Sequence, residues 1–240
     1  MEKISADFIN DLNNKFTSSF TEQVLKYFLE NFKGKIALAS SMSIEDQVLT
    51  DMIVKLDKET KIFTLDTGRL PCETYNLIDR TNEFYEIKID ICFPDFIQVE
   101  EMVKNKGVNL FYNSMDDRKL CCNIRKLAPL KRALNGLDVW ICGLRREQSV
   151  TRENIDLVEL DSNNGLIKLN PLFNWTESEV WKYIKGHNVP YNSLYKKNYL
   201  SIGCAPCTRP VYEGEDVRSG RWWWENPDTK ECGLHIKQGG

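Results

Sequence analysis

No excess of positive charge runs through this chain. Its 32 Lys and Arg are outweighed by 35 Asp and Glu, a net charge of −3. Nothing global therefore attracts nucleic acid or an anionic membrane, and any bound anion must be met by local arginines. No apolar stretch approaches the length of a membrane span. The opening MEKISADFINDLNNKF is charged and lacks the apolar core of a signal peptide. Internal repeats and low-complexity segments are absent too. With 42% hydrophobic and 28% charged residues, the composition is that of a soluble globular protein of one large domain or two small ones. Eight cysteines without a secretory signal point to a reducing cytoplasm, where thiols serve metals and chemistry more than disulfides.

The cysteine layout carries the most information. Cys121 and Cys122 are adjacent, Cys204 and Cys207 bracket Ala205-Pro206, and Cys232 stands alone near the C-terminus. Zinc sites usually draw on cysteines two to four residues apart. Neighbouring cysteines diverge along the chain and suit a multi-iron cluster, where each sulfur can take a different iron. Cys121, Cys122, Cys204 and Cys207 thus read as ligands of one metal centre. Cys72, Cys92 and Cys142 sit in apolar or helical contexts and read as small buried thiols. Cys232 lies in a polar tail with Lys230 and His235 close by, and nearby positive charge favours the reactive thiolate. Glu231 acts in the opposite direction, and by residue type alone a lone tail cysteine is more often incidental than catalytic.

Periodicity predicts an α/β fold. After about 30 residues of helical spacing, Lys35–Ala39 reads as a buried strand and Glu45–Leu56 as the following helix. Lys61–Asp66 is a second strand, Glu73–Phe84 a helix, Tyr85–Ile91 a third strand and Phe96–Lys104 a helix. A helix is expected over Arg118–Leu134 and a buried strand over Asp138–Leu144. Such alternation argues a mostly parallel twisted sheet with helices on both faces. Asp156–Leu160 and Leu166–Leu169 then flank a hairpin signal, and Thr176-Glu177-Ser178-Glu179 opens a helix to about His187. Residues 1–207 are expected as the α/β nucleotide-binding and metal domain. Residues 208–240, rich in glycine and weak in periodicity, are expected as a mobile arm anchored by Trp222, Trp223 and Trp224.

Ligands of open parallel sheets sit beyond the C-terminal strand ends. Two loops stand there: Ser40-Ser41-Met42-Ser43, leading into a helix, and Asp66-Thr67-Gly68-Arg69. Each alone also reads as strand-to-helix capping, but their joint placement favours nucleotide binding. Arg145, Arg146 and Arg152 follow another strand end, while Arg218 and Arg221 lie on the arm. Guanidinium groups bind phosphate and sulfate at two points, so these clusters suit a di-anionic substrate, although such arginines are also common surface partners of carboxylates.

Taken together, Cys121-Cys122, Cys204-Ala205-Pro206-Cys207 and Glu231-Cys232-Gly233-Leu234-His235 resemble the assimilatory adenylyl-sulfate reductases, the iron–sulfur branch of the phosphoadenylyl-sulfate reductase family. LDTGRL at Leu65–Leu70, GLRREQS at Gly143–Ser149 and GEDVRSGRWWWEN at Gly214–Asn226 extend the resemblance over about Lys35 to Ile236. It implies an adenine nucleotide alpha-hydrolase-like fold in the cytoplasm and a 4Fe–4S cluster on Cys121, Cys122, Cys204 and Cys207. It further implies Cys232 as nucleophile, with His235 beside it, and Lys126 linking cluster charge to the substrate. Ser40, Ser41, Thr67, Gly68, Arg69 and Leu70 become the nucleotide pocket. Arg152, Arg218 and Arg221, with Arg145 or Arg146, become the grip on the phosphosulfate.

The implied reaction reduces adenosine 5′-phosphosulfate to sulfite and AMP through an S-sulfocysteine on Cys232. No thioredoxin-like segment lies within the 240 residues, so thioredoxin or glutaredoxin is expected as a separate partner. A homo-oligomer is compatible with the sequence; a nucleic-acid or membrane partner is not expected. Three rivals stand beside this reading. One is reduction of 3′-phosphoadenosine 5′-phosphosulfate, alone or in addition, although specialists for that substrate would lack the two cysteine pairs. Another is a cluster-dependent sulfur transferase acting on transfer RNA, which needs a glycine-rich pyrophosphate loop where this chain has Ser40-Ser41-Met42-Ser43-Ile44-Glu45-Asp46. The last is a zinc-stabilised binding protein in which Cys232 is dispensable.

Overall fold

A computed structural model describes residues 5–149 and 152–225. They divide into two compact units. The first draws on Met1–Thr64, Asn76–Asp90 and Leu134–Asn192, the second on Leu65–Tyr75, Ile91–Ala133 and Ser193–Gly240.

Six strands form one sheet: β1 (Ile36–Ser40), β2 (Lys61–Leu65), β3 (Asp90–Cys92), β4 (Val139–Ile141), β5 (Val158–Asp161) and β6 (Leu166–Leu169). Their order is β3-β2-β1-β4-β6-β5. β1 pairs in parallel with β2 and β4, β4 pairs in parallel with β6, and β5 runs antiparallel to β6 as its hairpin partner. β4 and β6 are buried at every residue, as expected of central strands covered on both faces. The chain moves to one side of β1 through β2 and β3, then to the other through β4. That reversal creates a crevice beyond the ends of β1 and β4.

Helices alternate with most of the strands along the chain. In the first unit, α1 (Ala6–Lys15) and α2 (Thr21–Asn31) precede β1, and α3 (Ile44–Leu56) follows it. Helix α3 is buried from Ile44 to Ile53, charged residues included, so every polar group on it must find an internal partner. Helix α8 (Glu177–His187) opens on the expected capping box between Thr176 and Glu179. Helix α4 (Cys72–Tyr85) follows β2. The second unit holds α5 (Phe96–Lys106), α6 (Met115–Cys122) and α7 (Ala128–Leu134). Among the described residues no helix is long and apolar enough to cross a membrane.

Of the three cysteines expected as buried thiols only Cys142 is buried, Cys72 being exposed and Cys92 half-buried, and three details of the secondary structure also differ from the sequence expectation. The strand expected over Tyr85–Ile91 is only Asp90–Cys92, because α4 runs on to Tyr85 and Glu86 turns the chain with φ 51°. The strand expected over Asp138–Leu144 ends at Ile141. The single helix expected over Arg118–Leu134 is interrupted by a π turn at Asn123–Leu127 between α6 and α7. Pro129 accounts for the interruption: it has no N–H for the carbonyl of Arg125, and its ring crowds that position, so the preceding turn widens.

Residues 208–225 fold back within the second unit. Thr208 bridges to Arg221, Arg209 N donates to Gly220 O at 3.0 Å, and Trp222 is buried at 1% exposure beside Cys207, Phe111, Leu110 and Met102.

Gly143, just after β4, lies against the start of α3. A Cβ there would stand 2.3 Å from Asp46 Oδ1 and 2.9 Å from Glu45 Cβ. Gly143→Ala is expected to destabilise the protein by about 1–3 kcal/mol through overpacking, read as a lower urea midpoint. An unchanged midpoint would contradict this packing.

Candidate active site and cysteine centre

In the first unit the β1–α3 loop is tightly made. Met42 adopts φ 62°, a left-handed conformation rarely taken by a non-glycine residue. Ser43 caps α3. The backbone N–H and hydroxyl of Ser41 both donate to Asp46 Oδ2 at 2.6 Å, and the Ser43 hydroxyl reaches the same oxygen at 3.3 Å. The donors expected to face a phosphate thus converge on an internal carboxylate. Burial pushes Asp46 up from the ordinary 3.8 to about 6, although the Ser41 bonds pull it down. Ser40 is buried, its hydroxyl accepting from Met42 N at 3.1 Å.

The neighbouring arginines are partnered. Arg145 is buried and donates to Glu45 Oε1 at 2.9 Å, with Glu147 and the Trp175 carbonyl each at 3.3 Å. Arg146 donates to the Ile155 carbonyl and to Asn174, and its guanidinium lies 4.7 Å from the Phe173 ring centre. Arg152 is buried and bonds Gln148.

In the second unit, the loop after β2 is built into the cysteine centre. Asp66 accepts from Gly68 N at 2.7 Å and the Tyr75 hydroxyl at 2.9 Å, shaping a turn in which Gly68 takes φ 69°. The backbone of Leu70 meets the same Tyr75 hydroxyl. Thr67 Oγ1 lies 3.2 Å from Cys204 Sγ, and the Thr67 carbonyl accepts from Arg125 Nη1 at 2.6 Å. The Arg69 carbonyl accepts from Ala205 N at 2.7 Å. Its guanidinium donates to the Val108 carbonyl and Asn109 and lies 5.3 Å from the Phe111 ring centre.

All four paired cysteines line one cavity, together with Lys126, Arg125, Arg118, Arg69 and Arg221. Helix α6 delivers Cys121 and Cys122 at its last turn. The short turn Ala205–Cys207 delivers the other pair, with Cys207 N donating to Cys204 O at 2.9 Å. Burial drives the Cys204 thiol upward, but Lys126, the Thr67 hydroxyl, Arg221 and Arg125 outweigh it, and the net direction is down. Cys121 stays raised by burial, and Cys207 is pushed up to about 12. Cys204 thus ionises more readily than its burial alone would allow, and the cations around the cavity can offset further thiolates. Among the described residues no three His, Cys, Asp or Glu are arranged to hold a single metal ion. Four thiols lining one cavity are a donor set that iron–sulfur clusters use.

Arg221, on the segment expected as an arm anchored by its tryptophans, is 7% exposed and packed on Gly203 and the Trp222 ring, donating to the Ile202 carbonyl at 3.3 Å. Arg218 is half-buried, and its backbone N donates to Asp216. Sequence reasoning missed Asp46, Arg118, Arg125 and Glu225. The spacing of Arg118 from Cys122 (i, i+4) and of Arg125 from Cys121 and Cys122 (i+4 and i+3) was the available signal. Cys232 and His235 lie outside the described residues.

A parallel sheet with a switch-point crevice and loops at its strand ends defines an adenine nucleotide alpha-hydrolase-like fold. Residues 35–210 match the phosphoadenosine phosphosulfate reductase domain, and the chain belongs to that family of enzymes. A curated relative, the adenosine 5′-phosphosulfate reductase of Allochromatium vinosum, is 52% identical over 203 residues, covering 85% of this chain and 79% of that protein. The crystal structure of phosphoadenylyl-sulfate (PAPS) reductase from Candida auris, a phosphate complex, superposes with a TM-score of 0.75 at 27% identity, covering 87% of this chain and 98% of that one. Yeast FAD synthetase in complex with FAD, 14% identical with a TM-score of 0.54 over 85% of this chain and 75% of that one, shares the fold alone.

Asp46 gives a pH test. Its folded value lies above its unfolded value, so the folded state binds the extra proton between 3.8 and about 6, and its contribution to stability falls as pH rises through that window. Asp46→Asn should remove this slope, so wild type should lose stability relative to the variant across the window in urea titrations. A constant difference between the two would contradict the raised value.

Proposed function

We propose that this enzyme reduces adenosine 5′-phosphosulfate to sulfite and AMP. The observation that carries the reading is the gathering of Cys121, Cys122, Cys204 and Cys207 on one cation-lined cavity, beside the Thr67–Arg69 loop. Those four cysteines would hold a 4Fe–4S cluster, which when bound would supply fixed charge at the reaction centre.

The protein's own groups divide the work as follows. In the first unit the Ser40–Ser41 loop, and in the second the loop Asp66–Leu70, are each candidates for nucleotide contacts. Lys126, Arg218 and Arg221 in the second unit, and separately Arg145, Arg146 and Arg152 in the first, are candidates for phosphosulfate contacts. The Cys232 thiolate attacks the sulfur of the phosphosulfate. A sulfur–sulfur bond forms, the sulfur–oxygen bond to phosphate breaks, and AMP departs with the electron pair. His235 and Lys230, near Cys232 in sequence, favour its thiolate. A dithiol protein of the thioredoxin or glutaredoxin kind then attacks the Cys232 sulfur, sulfite leaves, and the second thiol of that partner resolves the mixed disulfide. The two electrons come from the dithiol, which ends as a disulfide. Such a reaction belongs to sulfate assimilation and suits a reducing compartment such as the cytoplasm, where thiols stay reduced.

The curated relative's name favours the substrate without a 3′-phosphate, whereas the Candida auris structure belongs to an enzyme named for the 3′-phosphorylated one. Both are compared in the test. Anaerobically purified protein is mixed with the radiolabelled sulfonucleotide, without reductant, and run on a denaturing gel. Label is expected from adenosine 5′-phosphosulfate on wild type, none on Cys232→Ser, and release as sulfite on adding thioredoxin. Preferential labelling by the 3′-phosphorylated substrate would move the assignment to that nucleotide. Absence of label from iron-replete protein with either would reject the covalent route.

A further inference from the structure

Arg118 is 2% exposed, among the largest fully buried side chains, and has no role in the reaction described above. It sits on α6 one turn before Cys122, and its guanidinium hydrogen-bonds that thiol. Its Nε and Nη2 also donate to the two carboxylate oxygens of Glu225, each at 2.8 Å, a two-point pair with both side chains buried. The same guanidinium lies 4.7 Å from the Trp222 ring centre. Trp222 N in turn donates to the Cys207 carbonyl at 3.2 Å, and Glu225 N to the Trp222 carbonyl at 2.8 Å. One buried cation therefore touches a cysteine of the centre, the tryptophan packed on it, and the carboxylate at the start of the tail. Cys232 follows Glu225 by seven residues. Even fully extended, that length confines its sulfur to within about 25 Å of Glu225.

We propose that Arg118 is a positioning residue that couples the cysteine centre to the root of the Cys232 tail through Glu225. Filling the centre fixes Cys122, hence Arg118, hence Glu225 and the point from which Cys232 reaches. Loss of the bound group frees Cys122 and loosens that point. Coupling of this kind is reciprocal: a tail held at Glu225 must in turn retain the metal group more tightly. The inference rests on the assignments of Cys232 as nucleophile and of the four cysteines as metal ligands.

The test uses the full chain with two variants, Glu225→Gln, which keeps shape and removes the charge, and Arg118→Lys, which keeps charge and removes the two-point geometry. Three readings are taken: protease cleavage of the tail in iron-replete and iron-depleted protein, the rate of iron loss to a chelator, and single-turnover labelling of Cys232. In wild type, iron should slow tail cleavage. In both variants that dependence should vanish, iron loss should quicken, and labelling should slow by about tenfold to a hundredfold, the usual scale for a misplaced reacting group. A latch that merely packs the tail would speed cleavage in the variants but leave iron's effect on it intact, and that result overturns the coupling. Wild-type tail cleavage insensitive to iron overturns it as well. Failure of wild type itself to take label would count against the proposed function, and the cleavage and iron-loss readings would still decide the coupling.

Discussion

Gathering four sulfur atoms into one cavity is costly unless positive charge stands beside them, and this requirement organises the second unit. Buried thiols resist ionisation, as the raised Cys121 and Cys207 show. Lys126, Arg125 and Arg221 reverse that tendency at Cys204. Each buried cation in turn needs its own partner, or its desolvation would exceed what it contributes. Arg125 finds the Thr67 carbonyl, Arg221 the Ile202 carbonyl, and Arg118 the Glu225 carboxylate. The loop after β2, the segment before Cys204 and the start of the tail are therefore held where they are by the same electrostatic demand.

The first unit solves a different problem with similar means. Helix α3 is buried along most of its length although it begins Ile44-Glu45-Asp46-Gln47. Glu45 is paired with Arg145, Asp46 is met by Ser41 and Ser43, and Gln47 donates to Thr81 and the Pro190 carbonyl. Glycine at 143 leaves room for the Asp46 carboxylate. The strand-end loop is consequently rigid and internally satisfied, and its polar groups are ordered before any ligand arrives.

Much of this was legible in the sequence, for reasons that can be stated. Continuous apolar runs marked β1, β2 and β4, and the capping box at Thr176 marked α8, because local pattern decides such elements. The pairing of adjacent cysteines with a second pair 82 residues on pointed to four thiols acting together, and the four do line one cavity. What escaped depends on contacts distant in sequence. Nothing near Arg145 announces Glu45, and nothing near Arg118 announces Glu225. The tryptophans were expected to anchor the segment after Cys207, but nothing local named the pocket that receives Trp222, made by residues a hundred positions earlier. The π turn was missed because the helical period continues through it, and the only local clue was Pro129.

The central claim is that Cys121, Cys122, Cys204 and Cys207 form one iron–sulfur centre. Mössbauer spectroscopy of protein produced with enriched iron tests it most directly, alongside iron and acid-labile sulfide analysis. The account predicts a 4Fe–4S signature with about four irons and four sulfides per chain, lost in Cys204→Ser. Stoichiometric zinc without sulfide in anaerobically purified protein would contradict it.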